Sequence, residues 1–264
     1  LNGETPYTLD IDAVDSDDLI IIKSISGLDP ADLTLFTGDY SRDGGYYQGR
    51  RLGGRNPVFN LKLNPDYVND IEISDVREML YEMFYEPQAG SDELQVVLKD
   101  DRRPDRYFIG ATEKMPADIF AKSTDAQISM VCVDGYLRSV TAVNASDAVG
   151  WTTLPVAYEG TAKTGLEMEL KVKTATTVAT VDIGGVTMTL TGDFAVDDII
   201  VINTSYGERR ITLNGVDAMV LLTSGPEWVQ LRRGTNTIKT YGSVEGDAKV
   251  ALMEYTYRAA WWGI

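Results

Sequence analysis

Two stretches carry side chains whose types and spacing suggest chemistry. DIDAVDSDD, residues 10–18, gathers Asp10, Asp12, Asp15, Asp17 and Asp18 and invites comparison with a calcium-binding loop. Such a loop needs oxygen ligands at positions 1, 3 and 5, glycine at 6 and glutamate at 12. Counted from Asp10, those last three places hold Val14, Asp15 and Ile21, so the register fails and the segment reads as an acidic, solvated loop. SRDGGYYQGRRLGGR, residues 41–55, places five glycines, two tyrosines and four arginines together in an acidic chain. It lacks the GKS or GKT ending of a phosphate loop and precedes a strand rather than a helix. Two readings remain for it: a mobile hairpin loop, or an arm that docks Tyr46, Tyr47, Arg50, Arg51 and Arg55 on acidic surface of a neighbouring subunit.

Catalytic constellations are sparse. The sequence contains no histidine, which removes the commonest general base, the commonest neutral metal ligand and every Ser-His-Asp or Cys-His arrangement. Carboxylates are abundant, but no pair stands apart by context as a glycosidase would require. GSDEL and KDDRRPDR read as solvated charge runs. The one cysteine, Cys132, lies in the apolar run ISMVCV and is expected to be a buried strand residue rather than a nucleophile. No catalytic residue, cofactor or metal site is expected.

The chain of 264 residues is 44% hydrophobic and 24% charged, a balance that supports a substantial core and two domains. A net charge of -16 opposes binding to nucleic acid or to an anionic membrane, both of which attract clustered lysine and arginine. No apolar run is long enough to span a bilayer, and no basic region followed by an apolar core opens the sequence. The sequence starts on Leu1 rather than methionine, so its start is expected to be either trimmed or absent from this sequence.

The elements that must position these side chains are mainly strands. Period-two alternation and β-branched runs mark DLIIIKSI, LTLFTG, VFNLKL, LQVVLK, RYFIGATE and QISMVCV in the first half. LEMELKVK, VATVDI, VTMTLT, DIIVINT, RRITLNG, TIKTYG and KVALMEYTY follow in the second. Gly184-Gly185 and Asn214-Gly215 read as tight hairpin turns. In SDVREMLYEMFYEP, Val76, Met79, Leu80, Met83 and Phe84 fall on one helical face, with Ser74 as the expected cap, Asp75 in the first turn and Pro87 as the stop. The spacing predicts one helix laid over a sheet. A boundary between residues 134 and 147 separates an N-terminal domain, 1–138, from a C-terminal domain, 139–264, with the closing residues packing back on the first domain. In MEYTYRAAWWGI, residues 253–264, Met253, Tyr255 and Tyr257 are expected on one face of a last strand and Leu252, Glu254 and Thr256 on the other. That strand would carry Trp261 and Trp262 onto an apolar surface at the domain junction or a neighbouring subunit.

Three segments together resemble the distal tail protein family of long-tailed, siphovirus-type bacteriophages. RYFIGATEKMPADIFAKSTDAQISMVCVDGYL is similar to the end of that family's ring domain, with an exit through Asp134, Gly135, Tyr136 and Leu137 where proline is common at the place of Gly135. YEGTAKTGLEMELKV, residues 158–172, resembles the start of the family's C-terminal β-sandwich, with Gly165 in place of a proline. GPEWVQLRRGTNTIKTYG, residues 225–242, is similar to the family's tryptophan, leucine and Pro-Gly-Xaa-Asn pattern, represented here by Trp228, Leu231, Gly234 and Asn236 with Arg233 at the proline position. The final YRAAWWGI resembles the family's Tyr-Arg then Trp-Gly ending.

The resemblance implies a mainly β fold: an N-terminal β-sandwich-like ring (belt) domain with one α-helix, then a galectin-like C-terminal β-sandwich. It also implies a structural adaptor that forms a homo-hexameric ring at the distal end of the virion tail after synthesis in the host bacterial cytoplasm. The implied partners are the tail tube protein, a tail-associated lysin or tip protein, and receptor-binding or side-fibre proteins, with no nucleic-acid site and no membrane insertion. The competing reading is a carbohydrate-binding β-sandwich in which Trp151 and Trp228 stack on sugar rings; core or interface packing is the plainer role for these indoles and for Trp261 and Trp262. A tail-tube protein is a third class, opposed by the second sandwich domain.

Overall fold

The structure, a computed structural model, describes residues 19–39, 45–67, 69–85, 93–100, 102–115, 124–224 and 227–264. The acidic stretch 10–18 lies outside the described residues, as do residues 41–44 and Pro87. The chain separates into two compact units: one contains residues 1–100, 106–137 and 262–264, the other residues 101–105 and 138–261.

In the first unit the strands are β1 (Ile20–Ser26), β2 (Leu33–Asp39), β3 (Gly45–Leu52), β4 (Val58–Leu63), β5 (Leu94–Asp100), β6 (Arg103–Lys114) and β7 (Asp125–Val131), with the helix α1 (Ile73–Tyr85) between β4 and β5. The order β1-β4-β7-β6, with β5 on β6, builds a sheet, while among the described residues β2 and β3 pair only with each other. Alternation divides the sheet faces as expected from period two: Phe59, Leu61 and Leu63 of β4 and Ala126, Ile128 and Met130 of β7 are buried on one side. Helix α1 covers this side with Val76, Leu80 and Phe84; the Phe84 ring meets Phe59 at 6.2 Å between centroids, and its carbonyl accepts from the Thr112 hydroxyl at 2.8 Å. The other side carries a polar ladder in which Gln127 donates to Asn60 at 3.1 Å and Asn60 to Ser24 at 3.0 Å.

Two details of α1 depart from the sequence reading. The helix begins one residue before Ser74, and a side chain from its first turn caps it at Glu72: the Asp75 carboxylate accepts the Glu72 N–H at 2.8 Å. Met79, expected on the packed face, is exposed because it sits at the margin of an apolar stripe centred on Leu80.

The second unit begins with β8 (Leu137–Ser139) and continues through β9 (Val143–Trp151), β10 (Thr153–Tyr158), β11 (Glu167–Val172), β12 (Thr176–Ile183), β13 (Val186–Phe194) and β14 (Ile199–Asn203). It is completed by β15 (Arg210–Leu213), β16 (Val216–Asp217), β17 (Leu222–Ser224), β18 (Gly234–Tyr241), β19 (Val250–Tyr257) and β20 (Ala260–Trp261). A five-stranded sheet, β10-β18-β12-β13-β17, faces a six-stranded one, β16-β15-β14-β11-β19-β9. Their inward residues, among them Met168, Leu170, Val181, Leu190, Ile202, Ile238 and Leu252, form one apolar cluster, the filling of a β-sandwich. The two expected hairpins form as two-residue turns, Ile183 pairing with Val186 and Leu213 with Val216. All four turn residues have positive φ, which explains the Gly-Gly and Asn-Gly choice.

The last long strand corrects a register. A bulge at Met253 interrupts the alternation, so Leu252, Tyr255 and Tyr257 share the buried face and Met253 leaves it. Gly165, the residue at a familial proline position, leaves no room for a side chain: a Cβ there would lie 2.4 Å from the Ser205 nitrogen.

These placements predict that Leu80→Ala destabilises the protein by about 3 kcal/mol while Met79→Ala changes stability by less than about 0.5 kcal/mol in urea unfolding. Equal losses would contradict the orientation of α1.

Candidate functional site

Between β3 and β4 the chain passes through Arg55, one of the arginines expected to dock on a neighbouring subunit. Its backbone forms a bridge with Cys132, N–H to O at 2.9 Å and 2.8 Å in the two directions, which draws its side chain inward. The residue is 2% exposed. Its guanidinium donates to the carbonyl oxygens of Asp29 at 2.8 Å, Gly135 at 2.9 Å, Trp262 at 2.7 Å and, more weakly, Gly27 at 3.4 Å. Arg55 is therefore withdrawn from the set of docking residues: its two terminal nitrogens donate inside its own unit. Burial lowers its pKa from the usual value, with Asp134 and Asp29 among the charges that oppose the shift. The guanidinium nonetheless stays cationic at neutral pH, as arginine does in proteins.

The carbonyls come from three separate segments, at residues 27–29, 135 and 262, so the guanidinium is a clamp. It holds the closing residues on the first unit, where Arg106 also donates to the Gly263 carbonyl at 3.1 Å and the Trp262 ring meets Tyr136 edge-on at 5.2 Å. Gly135 sits against this clamp so closely that a Cβ would lie 2.6 Å from the Leu52 side chain and 2.7 Å from the Gly53 oxygen. Cys132, beside Arg55, is buried as expected, and burial pushes its thiol up to about 11, which keeps it protonated and inert.

The two terminal indoles are divided. Trp262 belongs to the first unit, whereas Trp261 is buried in the second on β20. There the Tyr158 hydroxyl donates to the Ala162 carbonyl at 2.6 Å and accepts the Ala260 N–H at 2.9 Å.

The rest of the arginine-rich arm is the hairpin β2–β3, with Thr34 opposite Arg51, Leu35 opposite Arg50, Thr37 opposite Tyr47 and Gly38 opposite Tyr46. Arg51 is exposed, as are Leu33, Leu35 and Phe36 of the partner strand. The side chains of Tyr46, Tyr47 and Arg50 lie outside the described residues.

In the second unit Trp151 packs on the sandwich core and meets Tyr255 edge-on at 6.2 Å, so its indole is a core wall. Trp228 is also partly buried against that core, but the Arg209 guanidinium lies 5.5 Å from its ring centre and 5.7 Å from that of Tyr206. Tyr206 and Arg209 were not singled out from the sequence; the available signal was SYGERR, a turn with an aromatic three residues before an arginine. Among the described residues no group of His, Cys, Asp and Glu side chains is arranged to hold a metal ion.

The clamp predicts that Arg55→Met lowers unfolding stability by about 3 kcal/mol, since several buried carbonyls lose a charged donor. Arg55→Lys should fall nearly as far, because an ammonium cannot fork across the same carbonyls. Deleting residues 262–264 should also destabilise, and the deletion combined with Arg55→Met should cost less than the sum. Unchanged urea midpoints would contradict the clamp.

Residues 159–261 match the family described as siphovirus-type tail component, C-terminal domain. The whole fold is similar to the crystal structure of the Dit (gp 19.1) protein of phage SPP1, described as a paradigm of the hub adsorption apparatus in phages infecting Gram-positive hosts. The TM-score is 0.62 and the identity 16%, covering 94% of this chain and 96% of that one. A chain of the phage p2 baseplate in its activated conformation with Sr aligns at a TM-score of 0.46 and 11% identity, over 93% of this chain and 91% of that one. No curated protein sequence matches significantly. Residues 159–261 thus match a siphovirus-type tail component domain that fills most of the second unit, and the chain is similar in fold to the SPP1 hub protein.

Proposed function

We propose that the protein is a structural adaptor of the phage tail hub, which closes into a ring with copies of itself and works by assembly rather than by catalysis. The observation that carries this reading is the tail-component domain at residues 159–261 set in a chain that shares the SPP1 hub protein's fold from end to end. Its place is the distal end of the virion tail. A hexamer is the ring size we infer, with the tail tube on one side and a tip protein or tail-associated lysin on the other. Receptor-binding or side-fibre proteins would be held by the C-terminal, galectin-like sandwich.

The ring contact is assigned to the first unit. Among the described residues hairpin β2–β3 pairs with no other strand, and it exposes Leu33, Leu35 and Phe36, Leu35 by 62%. Exposed apolar side chains beside Arg51, with Tyr46, Tyr47 and Arg50 on the same strand, form the mixture enriched where protein surfaces meet. In a chain of net charge -16, arginines here have abundant acidic surface on a neighbouring copy to meet, and an acidic ring would repel passing DNA.

Electron microscopy and native mass spectrometry of the purified protein, alone and with a tail-tip partner, test this reading. Short closed rings are expected, and Leu35→Asp combined with Arg51→Glu should reduce them to monomers without lowering the melting temperature. Long polymerised tubes, or a strict monomer under both conditions, would overturn the proposal.

A further inference from the structure

We infer that the second unit carries a binding site for neutral, polyhydroxylated glycans, centred on Tyr206, Arg209 and Trp228. The site stands on this unit alone and does not depend on ring formation.

The platform is built on a rigid turn. Between β14 and β15, buried Asn203 accepts the Ser205 N–H at 2.9 Å and donates to Glu167 at 3.2 Å and Glu208 at 3.4 Å. Thr204 and Leu166 exchange backbone and hydroxyl bonds at 2.9 Å and 3.1 Å, closing the base of the loop. Above that base Tyr206 is 76% exposed, and its hydroxyl has no hydrogen bond among the described residues. Trp228 is anchored in the core on one side and meets the Arg209 guanidinium on the other.

Arg209 is the informative residue. Its guanidinium lies within cation–π range of two aromatic rings yet makes no hydrogen bond or ion pair among the described residues. Two cation–π contacts restrain the group before any ligand arrives and leave its N–H donors available to one. Beside it Arg210 pairs with Glu167 at 2.8 Å, so acceptors as well as donors border the rings. Tyrosine, arginine and tryptophan also mark protein interfaces. The charge distribution favours a sugar: Glu167 and Glu208 lie beside Arg209 and Arg210, and exposed Glu227 adjoins Trp228, so an anionic partner drawn to Arg209 would meet carboxylates. A neutral pyranose offers what the cluster can use, namely an apolar C–H face for Tyr206, hydroxyl oxygens for Arg209 and hydroxyl hydrogens for the carboxylates.

Saturation-transfer NMR on the full chain tests the site, using soluble neutral oligosaccharides of glucose, galactose, rhamnose and N-acetylglucosamine, with polygalacturonate and polyphosphate as anionic probes. At least one neutral probe should bind weakly and receive saturation. Arg209→Ala and Tyr206→Ala should each weaken it about tenfold, with the melting temperature unchanged because both side chains are exposed. Binding of the anionic probes alone, binding that survives the double variant, or no transfer to any neutral probe would overturn the inference. Rings that assemble normally in the Arg209→Ala variant would show that the adaptor reading and the glycan site are separate.

Discussion

One buried guanidinium constrains the first unit more than any other group. Taking Arg55 out of water carries a desolvation cost that only several well-aligned acceptors offset, and the acceptors come from residues 29, 135, 262 and, at longer range, 27. The segments are far apart in sequence, so their mutual positions are fixed by one side chain rather than by a sheet ladder. The arrangement explains why a cation sits in an otherwise apolar, glycine-lined corner. It also explains why Trp262 and Gly263, which follow a domain of more than a hundred residues, return to the unit built by the first half of the chain.

The second unit is held by a different means. Its stability comes from two sheets filling a shared core, with tight hairpins setting register and a bulge at Met253 keeping three aromatic or aliphatic side chains on the inward face. A sandwich of this kind leaves its loops free to vary at little cost to the core. The Asn203-braced turn that carries Tyr206 and Arg209 is such a loop, ordered by a buried amide and open to solvent at its tip.

Much of this architecture was legible in the sequence because it follows from local rules. Period-two alternation located the strands, Asn214-Gly215 and Gly184-Gly185 located two turns, and the spacing of Val76, Leu80 and Phe84 located the helix. Arg55 was misread because nothing local distinguishes it from Arg50 or Arg51: its partners are main-chain oxygens, which every sequence supplies equally. Met253 was misplaced because a bulge breaks the period on which the reading relied. Trp228 was noticed for its type, but the arginine that completes its surroundings lies on another loop and became visible only when the fold joined them. The glycines at positions 135 and 165, departures from the family's prolines, make sense only beside Leu52 and Ser205.

Hydrogen exchange read by mass spectrometry tests the central claim, that Arg55 ties the separate segments into one cooperative unit. In the unaltered protein the amides around residues 27–29, 133–137 and 262–264 should exchange slowly and with a common opening free energy. In Arg55→Lys all three should accelerate together while the sandwich core around Leu170 and Ile202 stays protected. Segments that exchange independently of one another, or of residue 55, would contradict the account.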